Sequence, residues 1–319
     1  MRWLVILVTV AALAWSGWWW LGASALERGL DAAVTAARSD GWQIDYEGAS
    51  VRGFPNRFDT TLTDVTITPP DGSITWQGPF LQALALSYRP NHVIAVAPPE
   101  QRLSLPDGTV DIRSDDLRGS AIFSASAEPV LRRATIVADT LTVEGAGLRA
   151  SMAAGQLALR EAEAPAAYDV AASLSDLDLG DAVGLQPGII DRIDVDSTLQ
   201  LDAPITVTGT TPPSPTEIQV RRAEIAWSDA LLSATGTLRL DHLGRPSGDL
   251  LLEADGWQSL FDTLQQEGLI PSDQAPLLRA GLEGMAVDGR VEIPITIDAG
   301  QIRIGAIPLG IDLGAWQRR

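Results

Sequence analysis

Three regimes of hydrophobic patterning divide the chain. From Trp3 to Leu21 there is no charged residue, and a run of that length crosses the ~30 Å hydrocarbon core of a bilayer as a helix. From Leu26 to Ala37 the apolar positions take helical spacing. Leu26, Leu30 and Val34, with Ala33 and Ala37, form one stripe, and Arg28, Asp31 and Arg38 fall off it. This predicts a juxtamembrane stem helix that Gly41 stops.

Beyond Gly41 the period becomes two. Trp42, Ile44 and Tyr46 alternate with polar neighbours. Phe58, Thr60 and Leu62 do the same, and Val65 and Ile67 resume on the other parity, a slip near Asp64 that predicts a β-bulge. Leu103 and Leu105, then Val110 and Ile112, flank the turn Pro106-Asp107-Gly108. Val137, Leu141 and Val143 share one parity. Leu199, Leu201, Ala203, Ile205 and Val207 read as one strand, as do Leu250 to Ala254 and Val291 to Ile297. Ile302 and Ile304 follow Asp298-Ala299-Gly300, which predicts a terminal hairpin. Strict alternation gives each strand one apolar and one polar face, the mark of an antiparallel sheet and not of a parallel α/β core.

Helical spacing returns at Trp257, Leu260, Phe261 and Leu264, with Asp255 as a cap, and a short helix is expected from Ser272 to Ala280. The expected fold is mainly β (α+β): a long curved antiparallel sheet with an N-terminal transmembrane helix and a few short helices. The expected division is an anchor over 1–22, a stem over 23–40, and β-rich units over 41–210 and 211–319. The last seam falls at Thr211-Pro212-Pro213-Ser214-Pro215. Trp76-x-x-x-Phe80-Leu81-x-Ala83 echoes Trp227-x-x-x-Leu231-Leu232-x-Ala234. Either the two units are copies of one β-unit, or the echo is chance in an Ala/Leu-rich chain.

Charge orients this picture. Arg2 and the amino terminus are the only positive charges before the apolar run, and the acids Glu27 and Asp31 follow it. Positive charge stays inside, so the expectation is a single-pass inner-membrane protein of a Gram-negative-type envelope with its bulk in the periplasm. Trp15, Trp18, Trp19 and Trp20 mark the exit interface. The competing reading is a signal peptide cleaved after Ala23-Ser24-Ala25. The net charge of −18 argues against a nucleic-acid partner and against docking on anionic headgroups away from the anchor.

There is no cysteine, and all 23 basic residues are arginine. Disulfides, thiolate chemistry, Schiff-base lysines and a Walker-type phosphate lysine are therefore excluded. His92 and His242 are too few for a multi-histidine zinc site. There is no G-x-S-x-G elbow, and Gly145-Ala146-Gly147 lacks the third glycine of a phosphate loop. Asp176, Asp178 and Asp181, and Asp191, Asp194 and Asp196, form acidic clusters without the glycine and closing glutamate of a calcium loop. They read as a solvated strand face. No catalytic residue, metal or cofactor is expected, and no enzymatic activity.

Gly53-Phe54-Pro55-Asn56-Arg57-Phe58 is the most distinctive motif. It reads as a turn feeding the strand from Phe58 to Ile67, with two phenylalanines clamping it to the core, or as a binding determinant at a lip. Together with Gly41-Trp42-x-Ile44-x-Tyr46 and Val51, it resembles the opening of domain-of-unknown-function family 2125. Leu240-Asp241-x-x-Gly244-Arg245-Pro246-x-Gly248, Gly256-Trp257 and Gly305-x-Ile307-Pro308-Leu309-Gly310 are similar as well. The resemblance implies a bacterial envelope protein with an N-terminal anchor and implies no activity. By architecture the chain also resembles envelope proteins of the AsmA group, which form hydrophobic β-grooves for lipid; that likeness is fold-level analogy. The functional expectation is a non-enzymatic protein that offers an apolar sheet face to lipid or another hydrophobic ligand, through Leu199, Leu201, Ile205, Val207, Leu238 and Leu240. The alternatives are a scaffold role toward an envelope protein partner and, last, a hydrolase whose triad no motif announces.

Overall fold

The computed structural model describes residues 1–180, 189–207, 212–266, 270, 272–273, 275–304 and 307–315. The expected mainly β fold is what it contains: antiparallel strands throughout and three helices among the described residues.

The anchor and the stem are one helix, α1 (Arg2–Ser39), of 38 residues. It is about 57 Å long at 1.5 Å per residue. It runs unbroken through Ala23-Ser24-Ala25. Ala23 and Val34 are buried, and Leu30 and Ala37 are half-buried on the same stripe. Gly41, at φ +92°, ends it. The N–H of Trp42 returns to the Ala37 carbonyl and that of Gly41 to the Arg38 carbonyl. A left-handed residue that satisfies orphan carbonyls in this way is the Schellman stop that glycine favours.

The chain forms two compact units: Met1–Ala125 with Ile136–Leu148, and Ser126–Thr135 with Arg149–Arg319. The seam expected at 210/211 falls within the span of the second unit. In the first unit, β1 (Gln43–Asp45) and β2 (Gly48–Arg52) both pair with β3 (Arg57–Thr68), which pairs with β4 (Thr75–Leu86). The sheet then forks. The end of β4 pairs with β5 (Arg89–Val96) and its start with β6 (Glu100–Leu105). β5 continues to β8 (Asp116–Phe123), and β6 to β7 (Gly108–Arg113), which meets part of β9 (Leu131–Gly145). The β6–β7 hairpin turns at Pro106-Asp107 as expected.

The bulge expected near Asp64 is absent. β3 pairs Thr63 with Phe80 and Val65 with Gly78, so no residue is inserted. Asp64 instead takes φ +49°. A left-handed residue redirects the side chains that follow without lengthening the strand, and Leu62 and Val65 are both buried.

In the second unit each strand pairs with the next. β10 (Leu148–Glu161), β11 (Ala167–Asp178), β12 (Ile189–Leu201), β13 (Pro215–Trp227), β14 (Ala230–Leu240), β15 (Pro246–Asp255), β16 (Arg290–Asp298), β17 (Gln301–Ile304) and β18 (Ile307–Asp312) make an antiparallel meander. Two helices interrupt it after β15. α2 (Trp257–Gln266) matches the expected spacing, and α3 (Ala275–Met285) starts later and runs further than expected. Trp257 and Phe261 pack with Ala275 and Val291.

The two stretches of the sequence echo take different forms. Trp76 to Ala83 is one continuous piece of β4, whereas Trp227 ends β13 and Leu231 to Ala234 lie on β14 after a turn. The expected strand Leu199–Val207 also breaks. β12 ends at Leu201, the N–H of Asp202 bonds the Ser214 carbonyl at 2.9 Å, and Pro204 has no N–H to offer a ladder.

Candidate functional site

Direct cross-strand partners in an antiparallel sheet project to the same side, so register alone assembles a face in the second unit. Tyr168 is opposite Leu199, Leu199 opposite Ile218, and Ile218 opposite Leu238; beyond Gly248 the row ends at Ile297 and Ile302. Two positions along, Val170, Ser197, Val220, Gly236, Leu250, Ile295 and Ile304 form a second row. A third runs from Ala172 through Val195, Ala223, Ala234 and Leu252 to Ile293, and a fourth from Leu174 through Ile193, Ile225, Leu232 and Ala254 to Val291. Apart from Ser197, all these side chains are apolar, glycine or Tyr168.

This face is closed at its ends and half-exposed between them. At one end α2 and α3 cover Val291, Ala254 and Ile293. At the other, Tyr168 is fully buried, and its hydroxyl accepts the Ile205 N–H at 3.0 Å. In between, Val170, Val195, Leu199, Ile218, Val220, Leu238, Leu250 and Ile295 remain half-exposed. The expected site residues therefore separate. Leu199 and Leu238 share a row through Ile218. Leu201 is buried at the end of β12, opposite Pro215, and Leu240 faces Pro246 at the end of β14. Ile205 and Val207 lie off the sheet beside 129–131, and Val207 is 59% exposed.

The opposite face carries the charge. Arg192 pairs with Asp194, Arg222 with Glu224, Arg239 with Glu217, and Arg290 with Glu253 and Asp255. Arg221 bonds Asp169 at 2.8 Å and also reaches Asp196 and Thr198. Arg160 holds the other oxygen of Asp169 at 2.9 Å. Arg221 and Arg160 hold the Asp169 carboxyl down from 3.8 to about 2, chiefly through Arg221, and the carboxylates of Asp196 and Asp169 in turn raise the Arg221 guanidinium. A trough of about 530 Å³ on this polar side, lined by Gln156, Ala158, Ser173, Arg192, Arg222 and Glu224, is a separate feature from the apolar face.

Arg221 stands there because β13 bulges. Ser197 pairs with Val220 but Asp196 with Arg222, which leaves Arg221 as an extra residue. The bulge also keeps the apolar side in step, since Ile218 and Val220 are followed by Ala223 and Ile225 on the other sequence parity. Ile218, Val220, Leu250 and Ile295 were not among the expected site residues. That parity slip in β13 is the sequence signal that could have recruited Ile218 and Val220.

The Gly53–Phe58 motif forms the β2–β3 turn and holds α1. The indole N–H of Trp15 donates to the Pro55 carbonyl at 2.9 Å, and that of Trp19 to the Arg57 carbonyl at 2.7 Å. The Trp19 ring meets Phe54 edge-on at 5.4 Å and stacks on Phe58 at 6.0 Å. Gly22 lies against Phe58, where a Cβ would come within 2.5 Å of the ring. Phe58 is buried, Phe54 is 56% exposed, and Arg57 pairs with Asp59 at 2.6 Å.

Four residues of the two acidic clusters are engaged by the chain itself, and Asp176 stands at φ +50° on β11. Asp178 accepts the Gly180 N–H, Asp191 accepts the Ser228 N–H, and Asp194 and Asp196 pair with arginines. Asp181 lies outside the described residues. His92 is on β5, and His242 is exposed in a turn whose N–H groups are taken by Asp241.

The model of a family described as uncharacterized protein conserved in bacteria (DUF2125) matches residues 19–311. The chain belongs to this family. No curated protein and no solved structure gives a significant match. The DUF2125 match begins at Trp19, the residue that clamps the Gly53–Phe58 turn, and takes in every row of the apolar face. Of the motifs that carried the resemblance, Gly53-Phe54-Pro55 forms this clamp and Gly256-Trp257 opens the helical cover. Leu240 to Gly248 is the β14–β15 hairpin, and Gly305 lies outside the described residues.

Proposed function

We propose that this DUF2125 protein is a non-enzymatic, single-pass membrane protein whose β-units lie in the periplasm, and that the apolar face of its second unit holds the acyl part of a lipid. One observation carries the reading: rows of apolar side chains cross β11 to β17 half-exposed, while the other side of the same strands is filled with ion pairs. A sealed core buries its side chains fully, whereas these are half-buried, and contiguous apolar surface that solvent still reaches marks a binding surface. The placement rests on the apolar run from Trp3 to Leu21, with Arg2 before it and the acids after it.

Site-specific photocrosslinking in cells tests this. A benzophenone side chain is placed at Leu199, Ile218 or Leu250 on the apolar face, and at Gln219, Thr237 or Asp249 on the polar face. Lipid adducts identified by mass spectrometry are expected at the first three positions and at none of the others. Adducts with a protein at the apolar positions would move the reading to a partner surface, and equal lipid labelling of both faces would remove it.

A further inference from the structure

The clamp between α1 and the Gly53–Phe58 turn fixes the depth of that turn relative to the membrane. Helix rise is 1.5 Å per residue. From Trp3 to Leu21 the uncharged run covers about 27 Å, close to the ~30 Å hydrocarbon thickness. From Trp3 to Trp15, the residue bonded to the Pro55 carbonyl, the rise is only about 18 Å. If Pro55 sat at the headgroup boundary, about 12 Å of hydrocarbon would be left unspanned. Tilting the helix makes the shortfall larger.

We infer that the β2–β3 turn is a second membrane contact. Its tip, Phe54 and Pro55, lies below the headgroup boundary of the leaflet from which α1 emerges, against Trp15 and Trp19. The chemistry of the turn fits that depth. Phe54 is 56% exposed although Trp19 meets its ring edge-on, and Trp18 and Trp20 are 57% and 66% exposed on the adjoining helix. Arg52 flanks the tip and is exposed, where a long cationic side chain reaches back to phosphate while its stem stays apolar; Arg57, on the other side, is paired with Asp59.

Backbone at such a depth calls for polar partners within the protein, and four carbonyls of the turn have them. The Gly53 carbonyl accepts from Asn56 and Arg57, the Pro55 carbonyl from Trp15, the Asn56 carbonyl from Ser87, and the Arg57 carbonyl from Trp19. Trp15 and Trp19 therefore do more than mark an interface: they supply donors that water would supply elsewhere. β3 leaves the bilayer directly from this turn.

The inference rests on α1 spanning a bilayer and is independent of lipid binding by the second unit. The chain has no cysteine, so single cysteines can be spin-labelled in the full-length protein in phosphatidylcholine vesicles. Labels at Phe54→Cys and Asn56→Cys are compared with Thr9→Cys in the middle of the apolar run and Asp107→Cys in the exposed β6–β7 turn. Collisions with oxygen, which partitions into lipid, are weighed against collisions with a water-soluble nickel chelate. The expected result is that both turn labels favour oxygen, at a depth between those of Thr9 and Asp107. If the chelate reaches both turn labels as freely as Asp107 while Thr9 stays in lipid, the second contact is wrong. A Thr9 label in water would overturn the span, and this inference with it. Asn56→Cys keeps the test open should Phe54→Cys weaken the clamp, because the ring contacts of Trp19 are with Phe54 and Phe58.

Discussion

At the residue scale, Asp169 and Arg221 show how a polar surface is built into an otherwise regular sheet. A single inserted residue in β13 puts a guanidinium between two carboxylates. The consequence is a pH dependence with a definite sign. The folded-state pKa of Asp169 lies below its unfolded value, so its contribution is complete above about 4 and fades as pH falls toward about 2. Asp169→Asn should flatten the loss of stability across that window, read as the urea midpoint at each pH. At neutral pH the same substitution should cost about 1 kcal/mol or less, as expected for partly exposed ion pairs. An unchanged acid slope would show that Asp169 does not carry it.

At the element scale, α1 is continuous from its apolar run to Gly41, and the β2–β3 turn holds it at its middle through Trp15, Trp19 and Gly22. Gly22 allows the approach: any side chain there meets the Phe58 ring, which is itself packed under Trp19. Gly22→Ala should loosen the clamp and speed proteolysis between α1 and β3, whereas Gly17→Ala, with nothing within 4 Å of its Cβ, should leave the rate unchanged. The helical cover of the second unit makes a parallel case. Phe261 is 4% exposed, packs edge-on against Trp257 at 6.2 Å, and has Arg279 over its ring at 4.6 Å. Phe261→Ala should cost about 3–5 kcal/mol, measured as the denaturant midpoint of the second unit. A shift of a few tenths would mean that α2 is not integral to that fold.

At the scale of the whole molecule, the second unit is a meander whose two sides have opposite chemistry. Folding normally buries an apolar face, gaining about 25 cal/mol per Å². An acyl chain covering about 400 Å² of it would gain on the order of 10 kcal/mol before the costs of immobilising the chain. Ile218→Asp and Leu250→Asp, at half-exposed central positions, should therefore reduce co-purifying lipid while the protein still folds. Leu201→Asp, at a position 6% exposed, should unfold the unit instead. Lipid extraction and circular dichroism on the same preparations separate the two effects.

What the sequence determined by itself is what depends on neighbours along the chain. The absence of charge from Trp3 to Leu21, the stop at Gly41, the hairpins at Asp107 and Ala299, the spacing of α2 and the antiparallel, mainly β character all follow from local pattern and turn chemistry. The tertiary structure decided whatever depends on which strand lies beside which. Alternation shows that Leu199 and Leu238 each face one side of a strand. Only register puts them in one row with Ile218, and only the break after Leu201 removes Ile205 and Val207 from it. Two parity slips look alike in sequence, yet the one at Asp64 is a left-handed residue and the one at Arg221 is a bulge. The difference lies in the partner strand. The clamp was illegible for the same reason: Trp15, Trp19 and Phe54 to Phe58 are far apart in the chain, and their meeting is a matter of packing.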